Sequence, residues 1–457
     1  MKRSSARVTA CLLSWRRPQN LPAIVRSLQP LDFIDEILVW NNDPAHRLEL
    51  EGAKVRVIEA ERNEGCLGRF LCARQARNDV VYVQDDDVLV MNVAELYRGF
   101  CADPERIAHG LSPEHFRLRT RQHHGDCHVA LLGWGAFFRR EWVAVLDEVP
   151  APVRQTPLFH READKFFSIL LERRHNTLPG RLVHLDGHST PGLALWRDAG
   201  HREATSLAVG RALRLVRERR HPHLPVPWHV VIPCHNYARF LPEAVASVLQ
   251  NDADYAVTIV DDASKDETPQ VAAELCARYE HLAYLRFDEN RGPGAALNRA
   301  IAATDSVFVV QLDADDRIGP DYLYDAAQVL ARGADVANPD AILFGERAAR
   351  WAVPQQTTLR MLLVRNTVHC AAAFRRGYWA QIGGYDESMS GWQDYEFWIR
   401  MAAAGARIRR VAGDHFFYRK HGPSRAARSG AHRSALRAYI ERKHASLFEP
   451  PARRRAS

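Results

Sequence analysis

The chain has 457 residues, of which 46% are hydrophobic and 26% are charged, as expected for a globular protein of two or three domains. No apolar run approaches the ~20 residues of a membrane-spanning helix, and the formal net charge of +7 suits anionic small ligands or an anionic membrane surface. No nucleic-acid-binding motif accompanies this charge, so nucleic acid is not expected as a partner. Eight scattered cysteines without a C-x-x-C pair indicate a reducing cytoplasm.

The first predicted element is a strand at Val8–Leu13. The segment "MKRSSARVTACLLSW" imitates a signal peptide, but its apolar stretch is short and "WRRP" stands where a small-residue cleavage site would be. An amphipathic helix that begins with "LP" is expected next, followed by a second strand at Ile37–Trp40. This strand leads into Asn41 and Asn42, so polar side chains are predicted at its carboxyl end.

The same order of elements recurs about 220 residues later along the chain. The blocks "LPAIVRSL", "EILVWNND", "ERNEGCLGRFLCARQA" and "VYVQDDDVLV" correspond in order to "LPEAVASVL", "VTIVDDAS", "DENRGPGAALNRAIA" and "VFVVQLDADD". Four blocks in one order predict a single kind of domain present twice. The predicted domains are residues 1–205 and 228–430, with a helical, proline-rich linker at 206–227 and a closing helix and basic tail at 431–457.

Strands that alternate with helical patterns predict an α/β fold with a doubly wound, mostly parallel sheet in each domain. Ligands of such sheets bind beyond the carboxyl ends of the strands. Asn41, Asn42, Asp261 and Asp262 all stand at such ends, and so do both aspartate runs. The sequence therefore predicts one polar site per domain.

Each aspartate run contains Asp-x-Asp, formed by Asp85 and Asp87 in the first domain and by Asp313 and Asp315 in the second. Crowded carboxylates repel one another, so a strand that ends in them needs a compensating cation or a strongly solvated turn. Carboxylate oxygens are the ligands that Mg²⁺ and Mn²⁺ accept, and these ions keep open positions for phosphate oxygens. A divalent metal that neutralises a diphosphate is therefore expected at both runs.

Residues 228–425 resemble glycosyltransferase family 2, which has the Rossmann-like, nucleotide-sugar-binding GT-A fold. The motifs that carry the resemblance are "VVIPCHNYARFLPEAVASVL", "IVDDASKDET", "NRGPGAALNRAI", "QLDADD", "GGYDESMSGWQDYEFWIRMAAAG" and "YRKHG". The resemblance implies that Asp262, with Asp261 and Asn290, binds the donor nucleotide, and that Asp313 and Asp315 hold the metal and diphosphate.

The same resemblance assigns Asp394 in "WQDYEFW" as the catalytic carboxylate, with Gln393 where the family has a glutamate. A carboxylate on the acceptor side can take the acceptor hydroxyl's proton in an inverting transfer. Trp392 and Trp398 suit stacking on an acceptor sugar, with burial in the core as the alternative. His421 in "YRKHG" is a further metal ligand by this resemblance, or a loop histidine that only hydrogen-bonds.

Residues 7–205 resemble the exostosin-type domain of glycosyltransferase family 64, a retaining GT-A family, through "LVWNNDP", "YVQDDDVLV", "LLGWGAFFRREW" and "HREADKFFSILL". The resemblance places Asn42, with Asn41, at the nucleoside, Arg69 near the donor sugar, Asp164 at the catalytic carboxylate and Arg197 at the diphosphate. Asp85 and Asp87 would hold the metal. The family's two acidic residues before the helix are Ala163 and Asp164 in this chain.

Two other motifs are not assigned a function. The segment "HHGDCH" at 123–128 collects candidate zinc ligands, but six consecutive residues rarely supply four converging ligands, so a mobile acceptor loop is expected instead. The segment "GPGAAL" at 292–297 lacks the third glycine of a dinucleotide-binding loop.

The predicted function is that of a bifunctional hexosyl- or N-acetylhexosaminyltransferase in the cytoplasm, where the inner face of the membrane is one expected location. It would use UDP-sugars and Mn²⁺ or Mg²⁺ to extend a surface polysaccharide or a lipid-linked glycan. The first domain would act with retention and the second with inversion. The alternative is one active C-terminal transferase, with the first domain a glycan-binding or assembly module.

Overall fold

The computed structural model describes residues 6–111, 130, 132–172, 175–190, 198, 200–220, 227–422 and 433–448. Arg197 and the segment 123–128 lie outside the described residues. The chain divides into two compact units, Met1–His221 and Pro222–Ser457. Among the described helices, none is both long and apolar enough to cross a membrane.

Within its described residues, the first unit contains a seven-stranded sheet in the order β3-β2-β1-β4-β7-β6-β8, and β5 pairs with β9 separately. The strands are β1 (Val8–Ser14), β2 (Ile34–Asn41), β3 (Val55–Glu59), β4 (Val80–Asp85), β5 (Val88–Val90), β6 (Ile107–Leu111), β7 (Ala136–Arg139), β8 (His175–Pro179) and β9 (Leu182–His184). The α-helices are Leu21–Leu28, Leu67–Arg74, Val93–Ala102, Ala151–Arg154, Pro157–Arg161, Ala163–Leu170 and His201–Arg220; 3₁₀ turns lie at Pro18–Asn20, Leu132–Trp134 and Arg140–Glu148.

The second unit, over the part of it that the structure describes, has a ten-stranded sheet with the path β12-β11-β10-β13-β18-β15-β19-β14, to which β16 and β17 add at β15 and β19. The strands are β10 (Trp228–Cys234), β11 (Tyr255–Asp261), β12 (Leu282–Arg286), β13 (Phe308–Gln311), β14 (Arg317–Ile318), β15 (Val336–Gly345), β16 (Ala349–Trp351), β17 (Gln356–Thr357), β18 (Ala373–Arg375) and β19 (Ile408–Lys420). The helices are Leu241–Leu249, Thr268–Arg278, Gly292–Ala302, Tyr322–Ala331, Leu359–Val364, Arg376–Gln381, Gln393–Ala403, Arg433–Lys443 and Ala445–Phe448.

The apolar strand β1 shows why the sheets form where the sequence predicts them. All seven of its residues are buried, as expected of a parallel strand covered on both faces. The helix that follows buries Leu21, Ile24, Val25 and Leu28, which recur at the helical spacing, and its proline lies in the first turn, where no backbone hydrogen bond is lost. The predicted first strand and its helix are thus confirmed.

The two sheets share the order of their first four strands. In each unit the third, second, first and fourth strands lie side by side and parallel, and an antiparallel strand follows. The register pairs Leu13 with Asp85 in the first unit and Cys234 with Asp261 in the second. The strand ends that carry the polar residues therefore meet at one edge of each sheet.

The helix His201–Arg220 corrects the predicted linker. Ala208, Val209 and Ala212 are fully or almost fully buried and belong to the same apolar cluster as Phe166. One face of this helix therefore packs on the first unit's core, because this face of the arginine-rich helix is apolar enough to be buried.

Candidate active sites

A cavity of about 620 Å³ opens at the polar edge of the second unit's sheet. Four of the predicted acidic side chains line it: Asp262, which follows β11, Asp313 and Asp315, which follow β13, and Asp394 on the helix Gln393–Ala403. These residues are far apart in the sequence, and the parallel strand ends bring them together. The predicted donor, metal and catalytic positions of this unit therefore share one site.

Asp262 is held at the start of the helix Gly292–Ala302. Its carboxylate accepts hydrogen bonds from the backbone N–H groups of Arg291, at 2.7 Å, and Gly292, at 2.9 Å. Gly292 has a φ of +82°, a left-handed conformation that favours glycine. This arrangement fixes Asp262 against the cavity wall.

Asp261 does not have the predicted role in nucleotide binding. Its side chain is fully buried, and it accepts hydrogen bonds of 2.8 Å from the Ser264 backbone N–H and the Tyr284 hydroxyl. Asp261 therefore stabilises the loop after β11, because its side chain points to the protein interior. Asn290 instead lies on a neighbouring cavity of about 500 Å³, where its amide contacts His235 Nδ1 at 3.1 Å.

The second aspartate run is a compact group of acids with a histidine beside it. His421 Nε2 lies 2.9 Å from Asp315 Oδ2, and Asp313 accepts a 2.8 Å hydrogen bond from the Gln311 amide. Asp316 is buried and accepts a hydrogen bond from the Arg419 backbone N–H, but its Oδ2 has no partner. Burial, with Asp315 and Asp313 nearby, raises the pKa of Asp316 well above its usual range.

These residues fit a divalent metal. Asp313 and Asp315 supply hard oxygen ligands, and His421 supplies an imidazole, a donor set that Mn²⁺ accepts. The buried, unpartnered oxygen of Asp316 independently indicates that the site is short of positive charge. Ligand atoms of Asp313, Asp316 and Cys370 also lie within 4.8 Å of one another.

Asp394 has the environment of a general base. It lies in the first turn of its helix, its carboxylate is 3.5 Å from the Asn366 amide, and it lines the cavity beside Gln393. Burial, followed by the charge of Asp313, raises the pKa of Asp394 to about 6. A carboxylate with this pKa is ionised at neutral pH and is a stronger base than an exposed aspartate.

The two candidate acceptor tryptophans have different surroundings. Trp392 lines the cavity and precedes the helix with a φ of +58°. Trp398 is completely buried and packs against Phe374 and Phe397. The assignment of Trp398 to the acceptor is therefore wrong: it is a core residue, because the helix turns its ring away from the cavity.

Replacing Trp398 by Ala should lower the free energy of unfolding by about 3–5 kcal/mol, the usual cost of removing a large aromatic core side chain. Trp392→Ala is the matched control, because its ring faces the cavity, and we expect little change in stability from it. Urea unfolding of both variants measures the difference. Equal losses would contradict the assignment of Trp398 to the core.

The first unit brings its predicted charged residues together in another way. Buried Arg69 forms ion pairs with both Asp85 and Asp164. Burial raises the pKa of Asp164, and the charge of Arg69 opposes that shift. Arg69 was predicted near the donor sugar, whereas its guanidinium joins the predicted metal position to the predicted catalytic one.

Two side chains that contact the acids of this site, Arg17 and His188, were not predicted from the sequence. Arg17 lies 2.6 Å from Asp86 and 3.3 Å from Asp87, and His188 Nδ1 lies 3.2 Å from Asp87. Burial raises the pKa of Asp86 to about 7, with Arg17 acting in the opposite direction. The signal for Arg17 was present in "WRRP", since a triple-aspartate strand end needs cations near it.

Asn41 and Asn42 do not offer free amides to a nucleotide. Both side chains are 1% exposed. Asn41 donates to the His46 carbonyl and to Glu59, and Asn42 donates to the Gly65 carbonyl. The predicted contact of these two amides with the nucleoside is therefore replaced by a structural role. The Asn41 amide stabilises the loop that follows β2, and the Asn42 amide stabilises the loop that follows β3.

Residues 229–382 match the model of the family described as Glycosyl transferase family 2. This range includes Asp262, Asp313 and Asp315 and ends before Asp394 and His421. This part of the second unit is therefore similar to family 2 glycosyltransferases, in agreement with the resemblance seen in its sequence.

Curated relatives include several glycan-synthesising proteins. The succinoglycan biosynthesis protein ExoU of Rhizobium meliloti is 30% identical over 201 residues, which cover 39% of this chain and 58% of that protein. The chondroitin synthase of Escherichia coli is 24% identical over 187 residues, which cover 38% of this chain and 26% of that protein. A PGL/p-HBAD biosynthesis glycosyltransferase of Mycobacterium bovis is 27% identical over 187 residues, which cover 40% of this chain and 72% of that protein. The chain spans less than two thirds of the length of the first two of these relatives.

The solved structures to which the chain is similar include S. aureus TarS in complex with UDP-GlcNAc, with a TM-score of 0.39 and 22% identity over 43% of this chain and 60% of that one. The mannosyltransferase PcManGT of Pyrobaculum calidifontis, in complex with GDP-Man and Mn²⁺, has a TM-score of 0.38 and 20% identity. The alignment covers 55% of this chain and 77% of that one.

Proposed function

We propose that the second unit transfers a sugar from a nucleotide-sugar donor to a hydroxyl group of a glycan, with inversion and with a divalent metal. The observation that carries this proposal is the shared cavity, which Asp313, Asp315 and Asp394 line; His421 contacts Asp315, and the pKa of Asp394 is raised. The matching family model and the glycan-synthesising relatives support the class of reaction.

In the proposed reaction, Asp394 takes the proton of the acceptor hydroxyl while that oxygen bonds to the anomeric carbon. The bond from the anomeric carbon to the diphosphate breaks on the opposite face, and the nucleoside diphosphate leaves. Asp313, Asp315 and His421 would hold Mn²⁺ or Mg²⁺, which, when bound, neutralises the diphosphate and makes it a better leaving group. Trp392 at the cavity wall would stack on the acceptor sugar.

We further propose a UDP-sugar as donor, carrying a hexose or an N-acetylhexosamine, and a polysaccharide or lipid-linked glycan as acceptor. Cationic side chains also line the cavity, among them Arg365, Lys420 and Arg433, and they suit ligands that bear phosphate. The net charge of +7 is compatible with peripheral association with an anionic membrane.

A second transferase in the first unit, acting with retention, is the second candidate function. It is favoured by the strand order that the two sheets share and by the carboxylates of Asp85, Asp87 and Asp164 at the corresponding edge. The alternative for this unit is a glycan-binding or assembly module.

The test is a screen of the full chain against nucleotide sugars, with released nucleoside diphosphate and the new linkages as readouts. For a bifunctional enzyme, Asp394→Asn and Asp164→Asn should each abolish one linkage and leave the other. The exposed Asp305 supplies the control Asp305→Asn, which should retain both. If Asp164→Asn changes no linkage, the first unit is a non-catalytic module, and if no donor is turned over, the proposal for the second unit fails as well.

A further inference from the structure

Each unit has a cluster of acidic side chains at the polar edge of its sheet, and the two clusters differ in how their negative charge is compensated. The first cluster is Asp85, Asp86, Asp87 and Asp164, and the second is Asp313, Asp315, Asp316 and Asp394. In the first unit, the Arg69 side chain is 1% exposed and donates one N–H to Asp164 and another to Asp85. Asp85 ends β4 and Asp164 lies on the helix Ala163–Leu170. The guanidinium of Arg69 therefore lies between the two carboxylates and balances their charge. Without this arginine, another cation such as a metal ion would have to do so.

The neighbouring acids of this cluster are also paired within the protein. Arg17, whose side chain is 6% exposed, contacts both Asp86 and Asp87, and His188 contacts Asp87. Two arginines that are almost completely buried thus contact all four acids of this group.

The position of Asp85 is fixed from its other side as well. A Cβ atom added to Gly133 would overlap Asp85 Oδ2, so this oxygen packs directly against the glycine backbone while Oδ1 accepts from Arg69. A divalent metal bound by the Asp85 carboxylate would displace Arg69 from Oδ1 and would require Oδ2 to move away from Gly133. The buried guanidinium of Arg69 would then lose a counter-ion. The acids of the first unit, within the residues that the structure describes, therefore do not fit a resident divalent metal.

The second cluster is compensated differently. Across the described part of the chain, no lysine or arginine side chain forms an ion pair with Asp315, Asp316 or Asp394, and the His421 imidazole is the side-chain partner of Asp315. Each cluster keeps one buried carboxylate oxygen without a hydrogen-bond partner, Asp164 Oδ1 in the first and Asp316 Oδ2 in the second, so the difference between the clusters is the two buried arginines of the first.

We infer that Arg69 and Arg17 take the place of a divalent metal in the first unit, so that only the second unit binds the ion. Any phosphate-bearing ligand of the first unit is then bound without metal. The presence of a metal in the second unit rests on the proposed function, whereas the ion pairs of the first unit do not depend on it.

Mn²⁺ binding to the full chain, followed by electron paramagnetic resonance, tests the stoichiometry. We expect one Mn²⁺ per chain, at least a tenfold weaker affinity in Asp315→Asn and an unchanged affinity in Asp85→Asn and Asp87→Asn. Two ions per chain, or a loss of one ion in the Asp85→Asn variant, would overturn the inference.

Thermal unfolding in the presence of a chelator gives a second readout that needs no metal. Asp85→Asn should lower the unfolding midpoint, because it leaves part of the Arg69 charge uncompensated. If the acids of the first unit formed a vacant metal site, the same change would relieve repulsion between their carboxylates and raise the midpoint. A raised midpoint would therefore contradict the inference. If no Mn²⁺ binds at all, the metal requirement of the second unit fails, and the sign of this shift still decides the role of Arg69.

Discussion

Replacing Asp394 by Asn should abolish sugar transfer by the second unit. The amide has nearly the shape of the carboxylate but cannot take a proton, so the loss should reach about 10²- to 10⁴-fold in kcat, the usual contribution of a general base. Donor affinity should remain nearly intact, because the predicted donor contacts are made by other residues of the cavity, Asp262 and Asp313 among them. Turnover with a panel of nucleotide sugars measures the first effect and equilibrium binding of UDP measures the second.

The pH dependence of the wild-type enzyme gives an independent check on Asp394. Its raised pKa of about 6 predicts that activity falls as the pH is lowered through 6, since the protonated acid cannot accept the acceptor's proton. A pH–rate profile of kcat should show this acidic limb. An acidic limb near pH 4 would instead point to an exposed carboxylate as the base.

The stability of the Asp394→Asn variant separates loss of catalysis from loss of folding. A carboxyl group whose folded pKa lies above its unfolded value binds more protons in the native state, so its ionisation lowers stability as the pH rises from about 4 to 6. The shift of about two units corresponds to about 3 kcal/mol. We therefore expect the variant to be as stable as the wild type or more stable at pH 8, and undiminished turnover in this stable variant would refute the assignment of the base.

Replacing Arg69 by Gln should have the largest effect on the stability of the first unit. The substitution leaves Asp85 and Asp164 facing each other without their shared cation, in a site where both the arginine and Asp164 are largely buried. Breaking a buried ion pair by removing one partner typically costs about 3–5 kcal/mol. Denaturant unfolding at neutral pH measures this loss.

Arg74 supplies a matched control on the same helix. Its side chain is 41% exposed and pairs with Asp147, whose side chain is 51% exposed, so Arg74→Gln should cost about 0–1 kcal/mol. Part of the Arg69→Gln loss should be recovered at acidic pH, because burial raises the pKa of Asp164 and its protonated carboxyl repels Asp85 less. Similar losses for the two variants would mean that Arg69 is no more than a peripheral ion pair.

Much of the fold is a local property of the sequence. The buried strand β1, the helix with "LP" at its start and the repeated order of strands follow from apolar periodicity and from the places of proline and glycine. The meeting of Asp262, Asp313 and Asp315 at one edge could also be predicted, because the carboxyl ends of neighbouring parallel strands always lie together. Asp394 and His421 were indicated by motif resemblance; in the structure Asp394 lines the cavity and His421 contacts Asp315.

The surroundings of the two candidate acceptor tryptophans could not be predicted from their spacing. Trp398 lies within the helix Gln393–Ala403, whereas Trp392 precedes that helix with a left-handed φ of +58°, so helical periodicity does not relate the directions of their rings. Burial and the cavity lining distinguish them: Trp398 is completely buried and Trp392 lines the cavity.

The order of residues along the chain is enough to tell which acids stand at the strand ends, whereas packing in three dimensions decides what balances their charge. Arg69 meets Asp164 across 95 positions and Arg17 meets Asp86 across 69, and such pairs depend on how loops and helices pack over the sheet rather than on any local pattern. Asp85 and Asp313 look alike in the sequence, each in an Asp-x-Asp at the end of an apolar strand. Their electrostatic surroundings differ because a buried arginine reaches Asp85, whereas His421 and backbone N–H groups contact the acids beside Asp313.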